Sequence, residues 1–213
     1  MPKYSSAEIE KRNAFSQKMF SQLEDNMEKF LDYVPIDEDH LKVFSPKLIT
    51  LILDAGPELI SAFDIAINCI PTWEYFQPEF TIERESLWKK EQEGRKHNRS
   101  LTFNDYTNFL ERYSFLKLST KTVQLIELDA YFKPFELSAT TSWASVDWWS
   151  TYNLLKHDKY SNRKKATLIS ALKLLGALLC ILENNSWLIS HTSLQSGIFQ
   201  PTGSLLDPSF KKI

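Results

Sequence analysis

Apolar residues recur along most of this chain at helical rather than strand spacing. Phe15, Met19, Leu23, Met27 and Phe30 fall three and four apart, with charge on the opposite side. Ser5 and Glu8 fit a capping box just ahead of them, so a helix is predicted from there to about Tyr33, short of Pro35. Ser45-Pro46 predicts a second start, with Ser as cap and Pro in the first turn. Leu48 to Leu53 is apolar on more than one side, which predicts deep burial. Gly56-Pro57 is expected to kink or interrupt this helix, which resumes through Leu59, Phe63 and Ala66 and stops before Pro71. His40, in the acidic connector between the two helices, reads as a solvated loop residue.

Periodicity fades from Pro71. Trp73, Tyr75, Phe76 and Phe80 read as aromatic anchors in an irregular excursion. Glu83 to Arg99 is charged and predicts one exposed helix around Leu87-Trp88. The basic run Arg95 to Arg99 reads as a solvated loop, with an RNA-facing arm as the alternative. Thr102 predicts the cap of a short helix holding Tyr106, Phe109, Leu110 and Tyr113. Alternation over Thr122 to Glu127, and the aromatic run Tyr131 to Phe135, predict one or two short strands. Ala166 to Glu183 is the strongest helical pattern. Its leucines cover most of the circumference, which predicts a central helix or part of a dimer face. After Asn184-Asn185 the pattern loosens, and Trp187, Leu194, Ile198 and Phe199 read as a strand or packed tail. His191 has no obvious partner there. The expected fold class is mainly α, a helical bundle with a small irregular or short-strand insertion. One domain spans 1–213, with the excursion at about 71–135.

Composition narrows the function more than the fold. The chain has 213 residues, 43% of them hydrophobic, enough for a core without disulfides or metals. Five Gly argue against Gly-rich nucleotide loops. The net charge of -2 requires that any nucleic-acid binding come from a local patch. Cys69 and Cys180 sit in apolar surroundings and read as two reduced core thiols, with a disulfide between them as the alternative. No Cys/His spacing points to a metal, and no cofactor motif is present. Met1 to Arg12 is polar, unlike a secretory signal, and the apolar run Leu174 to Leu182 is shorter than the roughly 20 residues of a bilayer span. A cytoplasmic protein without a membrane partner is the expectation.

One stretch concentrates chemistry. Trp148 to Asp158 holds aromatics, an amide, an imidazole and positive charge. Asp147 or Ser145 is expected to cap a helix there. Trp149, Asn153 and His157 are four apart and share a helical face, with Tyr152 and Lys156 beside it. Asp158 is placed to hold one His157 ring nitrogen and fix the tautomer. Tyr160-Ser161-Asn162 breaks the helix, and Asn162 is a candidate cap for the next. Arg163, Lys164 and Lys165 then fall in the first turn of the long apolar helix, where cations oppose the dipole unless an anion binds. Lys156, Lys159, Arg163, Lys164 and Lys165 form a basic cluster around His157. It reads either as a solvated turn or as a phosphate site.

The segment Trp148-Trp149-x-x-Tyr152-Asn153-x-x-Lys156-His157, a basic turn and a long Ala/Leu helix resemble the HEPN superfamily, in particular a bacterial branch with a WW..YN..KH signature. The resemblance covers Ser145 to Glu183. His157 matches the motif's histidine and Asn153 its polar position, while Tyr152 stands at the position of the arginine. The resemblance implies a helical bundle, usually a homodimer, whose motif helices meet at the interface. It implies metal-independent endoribonucleases of toxin–antitoxin and phage-defence systems, with His157 in proton transfer on the ribose 2′-OH and Asn153 orienting it or the substrate. Tyr152 offers one neutral hydrogen bond in place of a bidentate guanidinium. Lys156, Lys159, Arg163 and Lys164 are the candidate phosphate ligands. Two readings follow: an RNA-binding or RNA-cleaving HEPN-like homodimer, or a catalytically silent helical module acting through itself or an antitoxin-type protein partner. In the second, Trp149, Tyr152, Asn153 and His157 form a buried network that fixes helix packing.

Overall fold

The computed structural model describes residues 3–69, 78–96, 101–112, 117–128, 130–136, 146–190, 193–202 and 211–213, without the side chains of 78–81, 201–202 and 211. It is mainly helical. The helices are α1 (Ser6–Leu31), α2 (Pro46–Asn68), α3 (Pro78–Arg95), α4 (Phe103–Glu111), α5 (Asp147–His157), the single turn α6 (Lys159–Asn162) and α7 (Leu168–Ser190). The strands are β1 (Thr122–Leu125), β2 (Ala130–Phe132), β3 (Phe199–Thr202) and the two-residue β4 (Lys211–Lys212). Trp73, Tyr75, Phe76, His97, Arg99, Tyr113, Ser145 and His191 lie outside the described residues.

Helix α1 begins at the expected cap, with Ser5 accepting a bond from the Glu8 amide, but the capping box stays half-formed because the Glu8 carboxylate does not return to the Ser5 amide. Its core face differs. Ile9, Asn13, Ser16, Phe20, Leu23, Met27 and Phe30 are buried, and Phe15 is 61% exposed. Three polar residues, Asn13, Ser16 and Glu24, are also buried on this helix, and the first two displace the apparent apolar stripe in the sequence toward Phe15. The Glu8 carboxylate pairs with Arg12. Near the helix end, His40 is tied back by its amide to Asp37 and by Nδ1 to the Pro35 carbonyl at 3.0 Å, so it is no free loop residue.

Helix α2 starts at the Ser45 cap and runs unbroken through Pro57 to Asn68. The expected interruption does not occur. Proline has no amide to offer the Leu53 carbonyl one turn back, yet burial of Leu48, Leu51, Ile52, Leu59, Ala62 and Phe63 outweighs that single lost bond.

Helix α7 is central and packs against α2, α1 and α5. It begins two residues later than the apolar pattern implies and ends at Ser190, past Asn184-Asn185. Its polar end stays helical because its buried donors find partners. Asn185 Nδ2 donates to the Ala62 carbonyl at 2.9 Å, and Ser186 Oγ donates to the Leu182 carbonyl at 2.7 Å. α7 has the length and hydropathy of a membrane span, and 72% of its most apolar window is buried inside the protein. Cys69 and Cys180 are buried free thiols, each pushed up to about 12 by burial.

The excursion is stitched to the C-terminal segment. β1 pairs antiparallel with β2 (Val123 opposite Phe132) and with β3 (Gln124 opposite Gln200), and β4 adds to β2 in parallel. The sheet lies on α7, where a Cβ on Gly176 would stand 2.7 Å from the Phe132 ring. Glycine is what lets the two surfaces close.

A second junction is aromatic. Trp148 is buried edge-on to Phe103 (5.6 Å between centroids) and Phe135 (5.9 Å). Its Nε1 donates to the Pro134 carbonyl at 2.6 Å. Trp148→Phe keeps most of the packing and strands that buried carbonyl. The expected loss is about 1–3 kcal/mol, read as a lower urea midpoint at unchanged slope. An unchanged midpoint would mean that this bond contributes nothing.

Candidate functional site

The α5 segment has a buried side and an exposed end. Trp148, Trp149, Thr151, Tyr152 and Leu155 are buried, Asn153 is half-buried, and Lys156 and His157 are exposed. Asp147 is the first helical residue rather than the cap. Val146 takes the cap position with no side-chain bond, and the Asp147 carboxylate sits in the first turn, where the helix dipole favours it. Lys156 and His157 occupy the last turn, the sign favoured at that end.

Trp149 stacks on Phe103 at 4.3 Å and leans on Tyr152 at 5.0 Å. Tyr152 in turn lies directly against α2. A Cβ on Gly56 would stand 2.1 Å from its Cε2, so only glycine admits the ring there. Burial pushes the Tyr152 hydroxyl up from its ordinary range. Asn153 donates Nδ2 to the Trp149 carbonyl one turn back at 3.1 Å. It does not orient His157. Among the described residues, the His157 imidazole has no hydrogen-bond or ion-pair partner. The buried network therefore takes in Trp149, Tyr152 and Asn153 and leaves His157 outside.

The expected tautomer-fixing bond from Asp158 is absent as well. The backbone is extended at Asp158 (φ -150°), which ends α5, and its Oδ1 accepts from the amides of Tyr160 and Ser161, each at 3.0 Å. Capping α6 uses the carboxylate. Asn162 caps backwards rather than forwards. Its Nδ2 donates to the carbonyls of Leu154 (3.2 Å) and Asp158 (2.9 Å), satisfying the end of α5.

Arg163–Lys165 form a separate 3-10 turn, not the first turn of α7. α7 is capped instead by Thr167, whose Oγ1 accepts from the Ser170 amide at 3.3 Å. The cations thus escape the unfavourable dipole, and the argument for an anion at that helix start lapses. The charges remain clustered and exposed: Lys156, Lys159, Arg163, Lys164 and Lys165. Arg163 is engaged locally, donating to the Tyr160 carbonyl at 2.7 Å and lying 4.6 Å over the Tyr160 ring. Lys156 approaches the Tyr152 ring at 5.8 Å.

Beside α5 opens a groove of about 610 Å³. Pro57 and Ile60 of α2 form one side, Trp149, Tyr152, Asn153 and Lys156 of α5 another, and 101–104 at the start of α4 the third. Leu101 to Asn104 carried no functional signal in the sequence. They enter because Thr102 and Asp105 form a reciprocal capping box that fixes the start of α4 and sets Phe103 against Trp149. Desolvation raises the Asp105 pKa, but bonds from Lys90 and Thr102 outweigh it and hold the carboxyl below its usual range. Asn104 Oδ1 is buried without a partner. An unmet buried acceptor costs about 1–3 kcal/mol. Among the described residues, no group of three acidic, histidine or cysteine side chains is placed to hold a metal ion. Comparison with protein-family models, curated proteins and solved structures finds no match for the chain.

Gly56→Ala forces the Tyr152 ring aside. The expected net loss is about 1–2 kcal/mol, because overpacking costs more than the alanine gains in helix propensity. Adding Tyr152→Ala should remove the penalty of the Gly56 change, since the clash has gone. A thermal melt of both backgrounds reads this directly, and equal penalties in the two would contradict it. The Asp158 cap has a pH signature. Hydrogen bonds from Ser161, with a smaller one from Tyr160, lower its pKa below the ordinary value. A depressed carboxylate contributes its stability above about pH 3.9, and that contribution fades as pH falls through the folded value. The amide resonances of Tyr160 and Ser161 should therefore titrate with a midpoint below about 3.9 and lose that step in Asp158→Ala. A midpoint at or above that value would refute the cap.

Proposed function

We propose that this protein is an RNA-binding helical protein of the HEPN type, with the exposed end of α5 and the basic turn after it as its phosphate-contacting surface. The observation that carries the reading is the exposed set Lys156, His157, Lys159, Lys164 and Lys165, gathered within one turn region of a chain whose net charge is -2. Among the described residues His157 has no partner, which leaves its ring nitrogens open to a ligand. Binding is favoured over cleavage for a geometric reason. Tyr152, at the position of the family's arginine, is built into the packing against Gly56 and Trp149. No cation on α5 replaces that arginine on the buried side. A homodimer joined through α5 is part of the same reading, and it would bring two such surfaces together.

Single-stranded RNA should bind more weakly as salt rises. With about four phosphate contacts, log affinity should fall against log salt with a slope near -3, roughly fiftyfold between 50 and 200 mM. Replacing Lys159 and Lys164 together by Gln should flatten the slope by about 1.4. Fluorescence polarisation measures both, and salt-insensitive binding would overturn the reading. Metal-free incubation of RNA with wild type and His157→Ala should leave the RNA intact in each. Cleavage that disappears in His157→Ala would replace binding by endoribonuclease activity.

A further inference from the structure

Helix α3 is held to the rest of the protein by charge, where the other long helices are held by apolar packing. Its described side chains turn the stripe Arg84, Leu87, Trp88 and Glu91 inward, at spacings of three and four. Leu87 and Trp88 are half-buried, and Ile82 is 68% exposed. By contrast, α2 and α7 bury leucines and isoleucines along most of their length. Between α3 and α4 lies a cavity of about 250 Å³, with Leu87 on one side and Phe109 on the other. The Trp88 Nε1 is buried with no acceptor among the described residues. Docking α3 therefore gains little from burial and leaves one indole donor unmet.

Ion pairs bridge what packing leaves open. Lys3 Nζ joins Asp64 of α2 to Glu91 of α3, 2.8 Å from each carboxylate, and Arg95 closes on Glu91 at 2.7 Å. Lys90 reaches Asp105 of α4 at 2.5 Å, and Glu83 pairs with Arg112 at the end of α4. Lys90 and Arg112 are exposed, so salt screens their pairs. The Debye length shrinks from about 30 Å at 0.01 M to about 3 Å at 1 M, whereas apolar burial is not weakened in this way. The Asp105 carboxylate serves two elements at once. Its Oδ1 takes Lys90, and its Oδ2 takes the Thr102 amide at 2.9 Å and the Thr102 hydroxyl at 2.8 Å, the bonds that start α4. The start of α4 is one side of the groove beside α5. From these contacts we infer that α3 is a salt-sensitive conformational switch. It detaches from α2 and α4 as a unit while the α1–α2–α7 bundle stays folded. Its detachment withdraws Lys90 from Asp105 and loosens the α4 start that borders the groove. The switch does not depend on what the basic turn binds.

The test is amide hydrogen exchange of the full chain, read by mass spectrometry from about 20 to about 500 mM sodium chloride. Exchange over 82–95 should quicken about fivefold or more across that range, the combined worth of a few exposed ion pairs, while α2 and α7 keep their rates. Glu91→Gln at the lowest salt should reproduce part of that gain, about threefold. Lys90→Gln should quicken 82–95 and, by about the same factor, the first bonded amides of α4 over 105–108. Glu83→Arg and Arg112→Glu should each quicken α3, and the two together should restore the wild-type rate, a rescue that lost packing would not give. Protection of α2 and α7 in the same spectra reports that each variant is folded. Exchange over 82–95 that ignores salt would overturn the switch. So would opening of α3 only in step with α2 and α7, which is global unfolding. Quickening of 82–95 in Lys90→Gln with 105–108 unchanged would overturn the link from α3 to the groove.

Discussion

The ring contact between Phe103 and the Trp148-Trp149 pair is the constraint on which the site depends. Phe103 stacks on Trp149 and meets Trp148 edge-on, and it also touches Phe63 of α2 at 5.8 Å. One side chain at the start of a nine-residue helix thereby joins α2, α4 and α5. Aromatic pairs of this kind contribute about 0.5–1.5 kcal/mol each beyond their burial. A helix of nine residues cannot hold itself together in water. α4 exists because its capping box starts it and this junction holds it. The groove follows as a consequence, since its third side is the beginning of α4.

A different device sets the register of the long helices. α1, α2 and α7 meet through polar groups in an otherwise apolar core. Gln17 bonds Ser186 at 2.6 Å, and Asn185 bonds the Ala62 carbonyl. Oxygens of Asn13, Ser16, Asn68 and Asn185 are buried there without partners. Hydrophobic packing alone tolerates sliding by a turn, whereas a buried amide on a fixed carbonyl does not. This seam is also why periodicity points to the wrong face of α1. Periodicity counts apolar residues, and Asn13 and Ser16 at core positions shift the count toward Phe15. The same blindness hid the last two turns of α7, whose asparagines and serines look like a helix stop until their partners on other helices are seen. Caps were legible for the opposite reason. Ser5, Ser45 and Thr102 act within four residues, so their chemistry is local and survives in the sequence.

The site divides along the same line. The basic cluster and His157 were legible because exposure and charge need no tertiary information. Asp158 and Asn162 were assigned to the right turn but to the wrong atoms, because each has several amides and carbonyls within reach and only the backbone geometry chooses among them. The share of 101–104 was not legible at all. Those residues lie far before α5 in the sequence and carry no unusual chemistry. Their importance comes from being placed.

α5 therefore does two things with one short sequence. Its buried side, Trp148, Trp149, Tyr152 and Leu155, is committed to packing, and its end, Lys156 and His157, is left to solvent. In a helix these two sets alternate every few residues, so a change in one side chain changes what its neighbours can do. Tyr152 is the clearest case. Its ring fills the space over Gly56, closes one wall of the groove and receives Lys156 at 5.8 Å. A guanidinium at that position would have to be buried against an apolar helix or swing out beside His157. The burial cost of an unpaired charge is prohibitive, so it would swing out, the wall would open, and α5 would gain a charge at the expense of a pocket. The tyrosine makes the opposite choice: it keeps the wall closed and places no charge beside His157. On this chain, a walled groove and a second charged group beside His157 are alternatives at one position, and burial of the Tyr152 ring over Gly56 decides between them.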